Sequence, residues 1–196
     1  MPELALALWA LYFVLSLGLR VLLHRRRTGS SGFLLARPRR PPLQAFSESA
    51  EAVAIALGVA AAALWDSLEP LDALDATGAQ VAGVALYAAG LVGVIVSQEA
   101  MGRSWRIGQD PSERTELVTD GPFALVSNPI FTSLVAAQAG LALLVPNVLA
   151  LAGVVLLVLS IELQVRLVEE PHLRRAHGDA YDDYARRSGR FLPKLR

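Results

Sequence analysis

The residues of this chain with the means to do chemistry gather between positions 162 and 193. Glu162, Arg166 and Glu170 recur every four residues, so on a regular helix they share one face. Glu169 adjoins the last of them, and His172, His177, Tyr181, Tyr184 and Arg190 follow. A carboxylate is ionised at neutral pH and accepts hydrogen bonds from a ligand's amino or hydroxyl groups. A guanidinium offers a planar fork to an anionic group. There is no cysteine, which removes disulfides, thiolate metal sites and cysteine nucleophiles. His172 and His177, five apart, do not share a helical face, and His24 sits among arginines, so no metal site is expected. No Ser-His-Asp arrangement is visible either. A site without these fits chemistry that needs positioning and exclusion of water more than a general base.

A second block, Leu117-Val118-Thr119-Asp120-Gly121-Pro122-Phe123 followed by Ser127-Asn128-Pro129-Ile130-Phe131, has the composition of a binding turn. Gly121 and Pro122 allow a sharp bend. Asn128, preceding Pro129, is pushed out of helical geometry, which frees backbone amides and carbonyls for a ligand or makes an ordinary helix entry. Tyr181 and Tyr184, three apart, either line a pocket or pack the tail onto the rest of the protein. Trp105, in Gly102-Arg103-Ser104-Trp105-Arg106, is a candidate for the substrate site or an interfacial anchor.

Apolar helices must position these blocks. Of 196 residues 54% are hydrophobic, and long runs lack charge, which predicts one integral membrane domain: an all-α polytopic bundle of about five spans. The expected spans are 4–23, 50–64, 80–98, 129–145 and 148–168. Residues 1–100 form three of them, with a basic linker at 24–46. Residues 101–196 form the core: the turn block, a helical hairpin at 129–168 closed by Pro146-Asn147, and the tail. Ser47 is expected to cap the second span, with Glu48 and Glu51 in its first turn. The first span is expected to stay uncleaved, because its arginines follow the apolar run. All 18 basic residues fall at 20–40, 103–114 and 166–196, while 66–77 is acidic. The positive-inside rule then puts the amino terminus outside and the carboxy terminus in the cytoplasm, and the expected location is a bacterial inner membrane. Only Phe33 interleaves the arginines of the linker, so no nucleic-acid partner is expected.

Arg166, Glu169, Glu170, Leu173, His177, Gly178, Tyr181, Tyr184, Arg190, Phe191 and Pro193, in that order, resemble the carboxy-terminal signature of the isoprenylcysteine carboxyl methyltransferase and phospholipid methyltransferase superfamily. Residues 117–131 resemble that superfamily's cofactor loop. Ser127-Asn128 stands where the family usually has Arg-His, and Phe123 and Phe131 stand where it has Tyr. The resemblance implies S-adenosyl-L-methionine as cofactor, held by Leu117, Val118, Gly121, Phe123, Asn128, Pro129, Phe131, Glu169, Glu170, His177 and Tyr181. It implies a catalytic and substrate-binding role for Arg166, with Trp105 beside the substrate. The acceptor would be a lipophilic isoprenoid, fatty-acid or phospholipid-like molecule, methylated at a carboxylate, with membrane lipid around it. Two alternatives stay open: an NADPH-dependent sterol-type reductase, and a non-catalytic membrane protein retaining the fold.

Overall fold

The structure is a computed structural model that describes residues 1–32, 41–106 and 116–194. The linker arginines at 37, 39 and 40, Phe33, and positions 107–115 lie outside the described residues. Apolar sequence with few breakers produces long helices. These are α1 Pro2–Thr28, α2 Pro42–Ala63, α3 Thr77–Met101, α4 Pro129–Leu144 and α5 Val148–His177, followed by the amphipathic α6 Asp179–Arg187. Among the described residues, four helices are long and apolar enough to cross a membrane: α1, α2, α5, and α3 with its 3₁₀ extension Gly102–Ser104. The fifth apolar helix, α4, has 16 residues. At 1.5 Å per residue it spans about 24 Å, short of a hydrocarbon core of about 30 Å.

The expected start of α2 is corrected. The helix begins at Pro42, whose fixed φ and missing N–H suit the first helical position, after an extended Pro41. Ser47 therefore lies inside the helix and caps nothing. Its hydroxyl is buried, donating to Gln44 O at 3.0 Å and to Gln164 Oε1 at 3.1 Å on α5. The helix α1 likewise runs past position 23 and stops only at Gly29, whose φ of 78° ends it in a left-handed turn.

Two close pairings hold the bundle together. α3 lies against α4 across small residues: a Cβ on Gly83 would come 2.7 Å from the Gly140 carbonyl, so only glycine permits this approach. α2 lies against α5, and Asn147 ties both to the turn between α4 and α5 by capping Leu149 and Ala150 through Oδ1 while Nδ2 donates to Ala61 O. Polar groups inside the bundle are spent on neighbouring helices. Tyr87 donates to Leu8 O at 2.7 Å, Gln98 to Ser16 O at 2.9 Å and Gln138 to Ala54 O at 2.9 Å. Trp9, Tyr12, Tyr87, Leu91, Leu141 and Leu144 fill the core between them.

Candidate functional site

The geometry of the site begins with an irregularity in α5. Residues Val165–Glu169 form wider π-type turns, and each such turn takes up one extra residue. One extra residue rotates everything after it by about 100° relative to a regular helix. Arg166 and Glu170, within and just after this stretch, take different partners and different exposure. Arg166 is paired backward with Glu162 and its side chain is 53% exposed. Glu170 is turned inward, and 7% of it is exposed.

A buried carboxylate requires a cation, and the tail supplies it. Arg190 approaches Glu170 as a fork, Nε donating to Oε1 and Nη2 to Oε2, the latter at 3.2 Å. That bond holds the Arg190 pKa above its ordinary value. Arg174 Nη2 stands 3.7 Å from Glu170 Oε2, within ion-pair distance.

The turn block meets the same tail through the backbone. Gly121, at φ 60°, opens the short 3₁₀ turn Gly121–Ala124. Past that turn Val126 and Gly189 form a parallel bridge: Ser127 N donates to Gly189 O at 2.7 Å, and Gly189 N donates to Leu125 O at 3.0 Å. Asn128 continues the pairing with both N and Nδ2 on Arg190 O, and Thr132 Oγ1 donates to Phe191 O at 2.9 Å. Ser127 and Asn128, which stand where Arg-His is usual, are thus committed to holding the tail.

Behind this strap Phe123, Tyr181 and Tyr184 form a buried cluster, with Leu117, Val118, Met101 and Leu173 packed on it. Tyr184 Oη donates to Phe123 O at 2.8 Å. Burial pushes the pKa of both tyrosines up to about 12, so they stay neutral donors at physiological pH. Between cluster and strap lies a cavity of about 420 Å³. Glu170, Tyr181, Asp182 and Arg174 line it together with Ser127, Ser188, Arg190, Arg186 and Lys194. The volume lies within the range of small-molecule sites. Two carboxylates, four cations, two hydroxyls and an aromatic face provide for a zwitterionic ligand carrying a ring.

The site residues named from sequence divide into groups. Glu170 and Tyr181 line the cavity. Leu117, Val118 and Phe123 do not line it but pack in the cluster with Tyr181 and Tyr184, Asn128 pins the strap, and Pro129 starts α4. Phe131 packs elsewhere, with Phe191 against the Leu157, Ile161 and Val165 cluster. Glu169 is half-buried, and His177 is half-buried at the corner before Gly178. Trp105 is 3% exposed and stands apart from the cavity lining, edge-on to His24 with centroids 5.4 Å apart. Sequence reasoning gave no role to Arg174, Asp182, Arg186, Ser188, Arg190 or Lys194. The signal for Arg190 was available in the need of a helix-end carboxylate for a partner. Among the described residues, no group of His, Cys, Asp and Glu could hold a metal ion.

No solved structure matches this chain. It is 30% identical over 112 residues to the nickel-cobalt-cadmium resistance protein NccN of Alcaligenes xylosoxydans xylosoxydans. That alignment covers 57% of this chain and 51% of NccN, so the chain spans about half the length of this curated relative. Residues 79–180, which include α3, the turn block, the α4–α5 hairpin and Glu170, match the phospholipid methyltransferase family. Helices fit to cross a membrane, two signature blocks meeting at one cavity and this match agree: the chain belongs to the phospholipid methyltransferase family.

Proposed function

We propose that the chain is an integral membrane methyltransferase that uses S-adenosyl-L-methionine and methylates a lipophilic acceptor, of isoprenoid, fatty-acid or phospholipid type, at a carboxylate. The observation carrying this reading is the half-open cavity where the turn block, the end of α5 and the tail converge. When bound, the cofactor supplies a methyl group activated on a sulfonium. Glu170 uses one lone pair on each oxygen for Arg190, which leaves acceptor capacity for a ligand's amino or hydroxyl group. Asp182 is a second acceptor; Arg174, Arg186 and Lys194 offer donors to a ligand carboxylate. Tyr181 presents a neutral phenol and an aromatic surface. Arg166, on the outward side of α5, is assigned to the anionic group of the acceptor. A carboxylate acceptor is ionised at neutral pH, so these residues need only orient it and exclude water. The cavity end of the bundle is assigned to the cytoplasm of a bacterial inner-membrane protein, with the amino terminus outside.

Calorimetric titration of the detergent-purified chain with S-adenosylmethionine, S-adenosylhomocysteine and NADPH tests the cofactor, and methyl-labelled cofactor with lipid extracts tests the acceptor. Glu170→Ala is expected to weaken S-adenosylmethionine roughly ten- to a hundredfold, the loss typical of a charge-assisted hydrogen bond. Unchanged affinity in a folded Glu170→Ala protein removes Glu170 from the cofactor site. Binding of NADPH alone would replace the reading with the reductase.

A further inference from the structure

We infer that Arg20, on the first helix and outside the family-matched segment, is a positioning residue for the cavity, acting through the last turn of α3. This rests on the reading of the cavity as a cofactor site. Arg20 is 3% exposed on a helix otherwise fit to cross a membrane. A guanidinium in such a helix is costly, and it persists where it faces the protein interior and is bonded there. Snorkelling to lipid headgroups would leave it exposed, which it is not.

Its bonds converge on one corner. Nη1 donates to Glu99 Oε1 at 2.6 Å, Nη2 donates to Gly102 O at 2.9 Å, and the guanidinium lies 5.1 Å from the ring centroid of Trp105. Arg27, two turns further along α1, holds the other oxygen of Glu99 at 2.9 Å. The indole is backed by His24, and by Gly32, where an added Cβ would come 2.9 Å from the ring. α3 ends at this corner: Gly102 has φ 52°, and the carbonyl it leaves exposed is the one Arg20 takes.

The residues between the gripped positions lie against the turn block and the cluster whose Tyr181 lines the cavity. Met101 packs on the Phe123, Tyr181 and Tyr184 cluster, and a Cβ on Gly121 would meet that of Ala100 at 3.7 Å. Positions 99 and 102 are thus held by α1, while 100 and 101 support the turn block that begins the strap. Rotation of this turn would move Phe123, the residue whose carbonyl accepts from Tyr184. Arg20 does not line this cavity and acts on it through the end of α3.

The test uses the full chain in detergent. Arg20→Lys keeps the charge opposite Glu99 and loses the second arm on Gly102 and the planar stack on Trp105. Hydrogen exchange at Phe123, Leu125 and Val126 is expected to quicken about tenfold, with α4 and α5 amides unchanged. S-adenosylmethionine is expected to bind roughly tenfold more weakly. Glu99→Gln keeps an acceptor for Arg20, and should loosen the same amides by a smaller factor, which covers the case in which Arg20→Lys does not fold. Turn-block exchange equal to wild type in a folded variant overturns the inference, as does a uniform rise across all helices, which marks a purely structural brace. If the wild type binds no S-adenosylmethionine yet the local loosening is seen, the positioning role stands and the cofactor reading falls.

Discussion

Replacing Arg190 by leucine removes both donors from Glu170 and leaves a carboxylate of which 7% is exposed. Breaking a fully buried pair in this way costs about 3 to 5 kcal/mol. Two features reduce the figure here. The Arg190 side chain is 36% exposed, so water reaches part of the pair, and Arg174 stands 3.7 Å from Glu170 as a substitute cation. We therefore expect a loss of about 2 kcal/mol for Arg190→Leu, as for a charge-assisted hydrogen bond on a partly dry group. The double variant Glu170→Leu/Arg190→Leu removes the orphaned charge and should recover more than half of that loss. The assay is reversible unfolding in mixed micelles of increasing denaturing-detergent fraction, applied to wild type, both single variants and the double variant. Singles that sum to the double within about 0.5 kcal/mol, the range of independent sites, would refute the claim that this pair closes the strap.

Other outcomes follow from the same structure. Arg166→Lys should leave S-adenosylmethionine affinity near wild type while single-turnover methyl transfer to an acidic lipid falls steeply, because an ammonium cannot copy the fork; equal rates would remove Arg166 from the acceptor site. Burial raises both tyrosines from the ordinary value of 10.0 to about 12. Their stabilising contribution is then complete below pH 10 and lost as pH rises toward 12, and Tyr184→Phe should flatten that loss in a pH series of unfolding curves. For topology, single cysteines at the exposed positions Asp72 and Arg187 should be labelled in intact cells by an impermeant thiol reagent at 72 and not at 187; the reverse pattern would invert the assignment.

The apolar runs made the helices legible, and Pro146-Asn147 marked the turn between α4 and α5, since long uncharged segments have few other solutions in a membrane. The two signature blocks also announced that they belong together. The partner of Glu170 was not legible. Four-residue spacing put Glu170 on the face of Arg166, but the structure pairs Arg166 with Glu162 and Glu170 with Arg190, twenty positions on. A contact made by a tail that folds back leaves no mark in helical spacing. Ser47 misled for a related reason: it has the chemistry of a cap, but the rigid ring of Pro42 set the start of the helix one turn earlier. Trp105 shows the limit of reading residues singly, because its surroundings come from Arg20 and His24, far away in sequence.

The pairing of Val126–Asn128 with Gly189–Phe191 also bears on how the molecule comes into being. Those tail residues leave the ribosome after every described helix, so the cavity has no far wall while the bundle is being inserted. The lining contributed by Ser188, Arg190 and Lys194 is therefore added only after the described helices have been made, so the pairing that holds those residues in place sets the order in which this cavity is built.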